Sequence, residues 1–171
     1  TRITLLLTAV LGLIWLSMGA DKKTPNKTHV VFLVGDDLNH ASGTHEFYAG
    51  GMLLKDSLSM SPLGDQFTST VVNNWPDDTS VFESADVIVH YYKGNKAHFM
   101  NQNHELIDGL AQKGLGQLFM HYAVDPEPGA EPFIKKWTGA VYKTKFSSNP
   151  NWDLKAKLEK HPINSGVKQL D

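Results

Sequence analysis

The chain has 171 residues, of which 41% are hydrophobic and 20% are charged, and its formal net charge at pH 7 is −2. This composition is ordinary for a globular protein, and without a cluster of Lys and Arg it argues against nucleic-acid binding. The chain contains no cysteine, which excludes thiol nucleophiles, disulfides and zinc–cysteine sites.

The N-terminal segment has the pattern of a targeting signal. Arg2 precedes an uncharged, mostly apolar run from Ile3 to Ala20, and small residues close this run. Residues 1–20 are therefore predicted to be a cleaved secretory signal peptide, followed by a linker over residues 21–28. The alternative is an uncleaved membrane anchor formed by residues 3–20, which just reaches spanning length. The expected location is the periplasm or the outside of a bacterial cell, with membrane contact only through this segment.

From His29 onward, stretches of strand character alternate with helical ones. Strands are predicted over residues 30–34, 66–72, 86–92, 115–120 and 141–146. Helices are predicted over about 44–60, 79–84 and 101–113, with shorter pieces around 133–137 and 154–158. This alternation predicts a three-layer α/β domain with a largely parallel sheet.

The first predicted helix has two specific features. Glu46 is expected in its first turn, where the helix dipole favours an anion. Gly50 and Gly51 each cost about 1 kcal/mol relative to Ala inside a helix. We expect this cost to be accepted because the helix packs closely on the sheet.

Polar side chains that suit acid–base chemistry follow three of the predicted strands. In a doubly wound sheet the carboxyl ends of the strands lie at one edge, and ligands bind there at the switch point of the strand order. Residues far apart in sequence are therefore expected to meet. The candidates are Asp36, Asp37, His40, His45 and Glu46 after the first strand, His90, Tyr91 and Tyr92 at the end of the third, and His121, Tyr122 and Asp125 after the fourth.

Histidine beside carboxylates suits general acid–base catalysis. The predicted catalytic residues are His121, His45 and Glu46. The predicted substrate-binding residues are Asp36, Asp37, His40, Tyr91, Tyr92, Tyr122 and Asp125. An alternative use of His40, His45, Glu46 and His121 is to hold a divalent metal, although His-x4-His-Glu is not a standard metal motif. Each candidate also has a structural alternative as a turn cap, an exposed loop residue or a packing residue, and His98, His104 and His161 are expected to be surface or structural residues.

Several stretches resemble the ThuA-like, or trehalose-utilisation, family. They are FLVGDDLNHASGTHEFYAGGMLL, NNWPDD, ESADVIVHYYKG, LFMHYAVDPEPGAEPFIKKWTGAVY and HPINSGV. The most specific pieces are His40-x-x-Gly43-x-His45-Glu46 and His121-Tyr122-Ala123-Val124. The resemblance implies a flavodoxin-like α/β/α sandwich, similar to class I glutamine amidotransferases, over residues 29–171. It also implies truncation at the C-terminus, because relatives continue with further strands.

The resemblance implies a role in carbohydrate catabolism. Amidotransferases carry a cysteine on the turn after a central strand, and the matching turn here, Met120-His121-Tyr122, has none, which excludes glutaminase chemistry through a thioester. The expected activity is that of an isomerase, lyase or hydrolase acting on trehalose, a related disaccharide or a keto-sugar, with His121 as the acid–base residue. The alternatives are a non-catalytic sugar-binding module and a metal-dependent hydrolase. The expected partner is a small carbohydrate, and a homo-oligomer is left open.

Overall fold

A parallel sheet forms the centre of the domain. A computed structural model describes residues 26–36, 41–143, 146–147 and 159–167. Within these residues the sheet contains β1 (Thr28–Val34), β2 (Phe67–Asn73), β3 (Val87–Tyr91) and β4 (Gly116–Phe119). All neighbouring strands are parallel, in the order β2-β1-β3-β4. This is the start of the flavodoxin-like order, with its switch point between β1 and β3. The predicted α/β fold is therefore confirmed.

Helices connect the strands. The α-helices are α1 (Phe47–Met60), α2 (Ser80–Glu83), α3 (Met100–Ala111) and α4 (Glu131–Thr138). Short 3₁₀ helices cover Gly64–Gln66, His121–Val124 and Pro162–Asn164. Among the described residues no helix is both long and apolar enough to cross a membrane.

Strand β1 is buried on both faces, which explains its unbroken apolar run. Val30, Phe32 and Val34 pack in one cluster with Phe47 at the start of α1. Val31 and Leu33 point to the opposite face, where residues of α2, α3 and α4 complete the larger core. Helices on both faces of the sheet give the three layers that the sequence predicts.

The glycine pair in α1 allows the helix to lie close to the sheet. A Cβ atom on Gly51 would overlap Cγ1 of Val34, and one on Gly50 would lie 2.6 Å from Cε1 of Tyr91. The expectation of close helix–sheet packing is therefore confirmed.

A charged contact joins α3 to α4 on the other face. The Asp108 carboxylate accepts hydrogen bonds from Nζ of Lys136 at 2.7 Å and from Nε1 of Trp137 at 2.9 Å. Gln112 donates a further hydrogen bond at 2.7 Å. These donors, with Lys136 first and Trp137 second, lower the pKa of Asp108 to about 2.

Two predicted elements differ from the structure. Helix α1 begins at Phe47, so Glu46 is its N-cap residue and does not lie in the first turn. Residues 141–143 have no regular structure, so the predicted strand over 141–146 is not formed there. The remainder of that strand falls partly outside the described residues. The signal peptide, most of the linker and the helical piece around 154–158 lie outside them entirely.

Candidate active site

The turn after β4 holds His121 in a left-handed backbone conformation. β4 ends at Phe119, and His121 begins the 3₁₀ helix with a φ of +54°. For a residue with a Cβ atom this conformation costs roughly 1–2 kcal/mol. Such strain persists only where the surrounding structure imposes it, and it concentrates at functional sites. His121 therefore combines reactive chemistry with a strained position at the carboxyl edge of the sheet.

The loop after β1 brings a second imidazole to this turn. The ring centroids of His45 and His121 are 5.3 Å apart in an edge-on arrangement, and the ring of Tyr122 lies 5.1 Å from His45 and 4.5 Å from His121. Three of the candidates thus meet as the strand topology predicts. We call His45, His121 and Tyr122 the histidine cluster.

Aromatic side chains from α1 and β3 pack beside the histidine cluster. Phe47 is almost fully buried, and its ring lies 5.9 Å from His45 and 5.0 Å from Tyr91. Tyr91 is half-buried, and its ring also lies against Gly50 of α1. Tyr91 therefore forms part of the wall between α1 and the cluster.

The surroundings of His121 favour its neutral form. Burial lowers the pKa of His121, and the positive charge that His45 can carry lowers it further. A neutral imidazole at neutral pH can accept a proton, which is the first requirement for a general base.

The carboxylate of Glu46 is engaged within its own loop. It accepts a hydrogen bond from the backbone N–H of Gly43 at 2.7 Å and one from the Ser42 hydroxyl at 3.4 Å. These bonds close the turn that precedes α1 and carries His45. The geometry therefore favours a positioning role for Glu46, while its predicted catalytic role stays a prediction.

The proposed metal ligands do not form a complete set in the described part of the chain. No group of three or more His, Asp or Glu side chains that could hold a metal ion occurs there. Among the candidates, His45 and His121 lie together, and Glu46 is turned toward Gly43. His40 lies outside the described residues, as does Asp37.

Asp36 links the ends of β1 and β2. Its carboxylate accepts hydrogen bonds from the side-chain amides of Asn74 at 2.8 Å and Asn73 at 3.1 Å. These bonds, the one from Asn74 being the stronger, lower the pKa of Asp36. The exposed, ionised carboxylate therefore helps to shape the sheet edge on the β2 side.

Tyr92 belongs to the core, while its predicted role in substrate binding stays a prediction. The side chain is fully buried, and its hydroxyl lies 3.0 Å from Nδ1 of His90. Burial raises the pKa of Tyr92 well above its ordinary value. His90 is equally buried, contacts the side-chain carbonyl of Gln117, and has a pKa lowered to about 3, chiefly by burial. This pair is therefore neutral and structural.

His98 supports the turn that carries His121, which the sequence does not indicate. It is buried, and its Nε2–H donates to the carbonyl of Ala123 at 2.8 Å, while Nδ1 accepts from the backbone N–H of Met100 at 3.1 Å. Burial lowers its pKa to about 4. The expectation that His98 is structural is confirmed, and its contact is with the helical turn of the site.

Asp125 follows the 3₁₀ helix and faces a separate cavity. Burial raises the pKa of its carboxyl group, and the nearby negative charge of Glu131 raises it further. The residues that line this cavity do not include His45 or His121.

Comparisons of the chain with protein-family models, with curated proteins and with solved structures find no match. The fold assignment rests on strand order and layering. The family resemblance and the site roles stay predictions.

Proposed function

We propose that this protein is an exported, ThuA-like enzyme that acts on a keto-sugar or disaccharide, with His121 as the acid–base residue. The observation that carries the proposal is the left-handed backbone of His121 in the turn that follows β4, with its ring against His45 and Tyr122. A strained residue with reactive chemistry at the carboxyl edge of a doubly wound sheet is typical of a catalytic position.

The proposed reaction begins with proton removal. Neutral His121 takes a proton from the carbon next to a ketone, the C–H bond breaks, and its electrons enter an enolate. In isomerisation the carbon that loses the proton carries a hydroxyl group, the hydroxyl proton passes to the oxygen of the former ketone, and the imidazolium protonates the former carbonyl carbon. In β-elimination the enolate electrons form a C=C bond, the C–O bond to the glycosidic oxygen breaks, and the imidazolium protonates that oxygen. A lowered pKa suits the base, and general acid–base assistance supplies typically a factor of about 10²–10⁴ in rate.

The remaining cluster residues would orient the sugar. The Tyr122 side chain is 39% exposed, so its hydroxyl is available to hydrogen-bond a substrate hydroxyl. His45 lies against both His121 and Tyr122, where it can contact the substrate and influence the charge on His121. Its position depends on the loop that Glu46 closes.

The proposal is tested with the full chain, trehalose and 3-ketotrehalose. Sugar signals are followed by NMR for the wild type, His121→Asn and the matched control His104→Gln. His104 is a suitable control because its Nδ1 donates to a carbonyl of its own helix and its ring packs on Phe133. We expect the wild type and the control to convert the keto-sugar, and His121→Asn to lose at least about 10²-fold in rate.

The same experiment separates the alternatives. If His121→Asn converts the keto-sugar at the wild-type rate, His121 is not the acid–base residue. Loss of conversion with EDTA favours the metal-dependent hydrolase. Line broadening of a sugar without conversion favours the sugar-binding module.

A further inference from the structure

A polar cavity, separate from the histidine cluster, adjoins the turn that carries His121. Its volume is about 370 Å³, at the lower end of the range of about 300–1,000 Å³ for small-ligand pockets. Its walls come from the loop after β3, the loop after the 3₁₀ helix, the first turn of α4 and the chain beyond α4. The residues of its lining that matter most are Asn95, Asp125, Glu131, Tyr142, Lys143 and Phe146.

Hydrogen bonds fix two walls of this cavity relative to each other. The Asn101 side chain donates to the carbonyl of Asn95 at 2.7 Å and accepts from the backbone N–H of Glu127 at 2.9 Å. The backbone N–H of Asn95 also donates to the carbonyl of Asp125. A ligand would therefore meet a preorganised surface, which reduces the ordering cost of binding.

The polar lining offers both donors and acceptors. Nζ of Lys143 lies 2.9 Å from a carboxylate oxygen of Glu131, and the Lys143 side chain is 51% exposed, so further ammonium hydrogens remain accessible. The Asp125 carboxylate forms no hydrogen bond or ion pair with any residue that the structure describes. This mixture suits hydroxyl groups, which donate and accept together.

Aromatic rings complete the lining. Tyr142 is half-buried, and its backbone N–H donates to the carbonyl of Val124 at 2.9 Å, which fixes it beside the 3₁₀ helix. Phe146 is 83% exposed. Two aromatic side chains beside carboxylate, amide and ammonium groups offer apolar contact to C–H groups and hydrogen bonds to hydroxyls.

We propose that this cavity binds one neutral, polyhydroxylated ring, that is, a single sugar unit. Tyr142 and Phe146 contact the C–H face of the ring, and Asp125, Asn95 and Lys143 hydrogen-bond its hydroxyls. The lining carries three carboxylates, those of Asp125, Glu127 and Glu131, against the ammonium of Lys143, so a cation is the competing ligand that the test must separate from a sugar. The inference rests on the proposed function, since it assigns the cavity to a sugar unit of the substrate on which His121 acts.

The test is a binding titration of the full chain with methyl α-glucoside, in which saturation-transfer NMR measures the binding. Spermidine serves as the cationic probe. We expect Phe146→Ala and Tyr142→Ala each to raise the Kd for the glucoside about tenfold. Tyr48→Ala, which removes a 50%-exposed tyrosine from α1, leaves the Kd unchanged. Phe146→Ala keeps the test decisive if Tyr142→Ala fails to fold, because Phe146 is so exposed.

The outcomes distinguish this inference from the proposed function. Unchanged glucoside affinity in His121→Asn supports a subsite separate from the reacting group. If the wild type binds the glucoside through Tyr142 and Phe146 but converts no keto-sugar, the subsite is supported and the proposed reaction is refuted. Equal affinity in the wild type and Phe146→Ala, or binding of spermidine in place of the glucoside, overturns the subsite.

Discussion

The left-handed backbone at His121 predicts that glycine and alanine at this position differ in stability although both abolish activity. Glycine relieves the left-handed strain of about 1–2 kcal/mol, but it costs about 0.5–1 kcal/mol in backbone entropy. His121→Gly should therefore be more stable than His121→Ala by about 0.5–1 kcal/mol. Both variants lose the same ring contacts with His45 and Tyr122, so the difference between them isolates the backbone. Both should lose keto-sugar conversion.

Urea unfolding of the two full-chain variants at pH 7 measures this difference, provided that their m-values agree. Gly109 in α3 provides the control, because a Cβ atom there would meet nothing within 4 Å. At that position alanine should be the more stable residue by up to about 1 kcal/mol. If alanine is at least as stable as glycine at position 121, the strain argument is wrong. If either variant converts the keto-sugar at the wild-type rate, the catalytic assignment fails.

Three further predictions concern packing and charge. Gly51→Ala places a methyl group against a fully buried strand residue; overpacking of about 1–3 kcal/mol exceeds the helix-propensity gain of about 1 kcal/mol. The urea midpoint should fall, and an unchanged midpoint would contradict close packing. Asp108 has a folded pKa of about 2, below its unfolded value, so its stabilisation is present above about pH 4 and is lost as pH falls toward 2. Asp108→Asn should flatten the fall in stability across that window, and an identical acid profile would refute this. His45→Asn removes the side chain whose positive charge lowers the pKa of His121, so this pKa should rise in an NMR titration. A fall in the pKa of His121 would contradict this electrostatic effect of His45.

The fold was predictable because each structural layer leaves a local pattern. The continuous apolar run from Val30 to Val34 reflects burial on both faces of β1, which occurs when helices cover both sides of a parallel sheet. Gly50 and Gly51 indicate the closest approach of the first helix. Neither inference needs contacts between distant residues.

The site was only partly predictable. Which side chains reach it depends on the alternating direction of side chains along an extended strand and on local hydrogen bonds. Tyr91 and Tyr92 are adjacent, yet one contacts α1 and the other joins the opposite core cluster, since successive residues of an extended chain point to opposite faces. Glu46 is turned toward the N–H of Gly43, and Asp36 is held by Asn73 and Asn74. Chemical type alone does not distinguish a carboxylate that is engaged in this way from one that faces a ligand.

The support of the His121 turn explains how a strained conformation can persist there. Gly94 lets the loop after β3 approach so closely that a Cβ atom would overlap the carbonyl oxygen of Tyr122. His98 then fixes the same turn through the carbonyl of Ala123. Since its pKa is about 4, His98 stays neutral at ordinary pH, and its Nε2–H remains a donor while Nδ1 accepts from Met100. The strain at His121 is therefore held by Gly94 and His98 of the neighbouring loop, and the contact with the Ala123 carbonyl depends on His98 remaining in this tautomer.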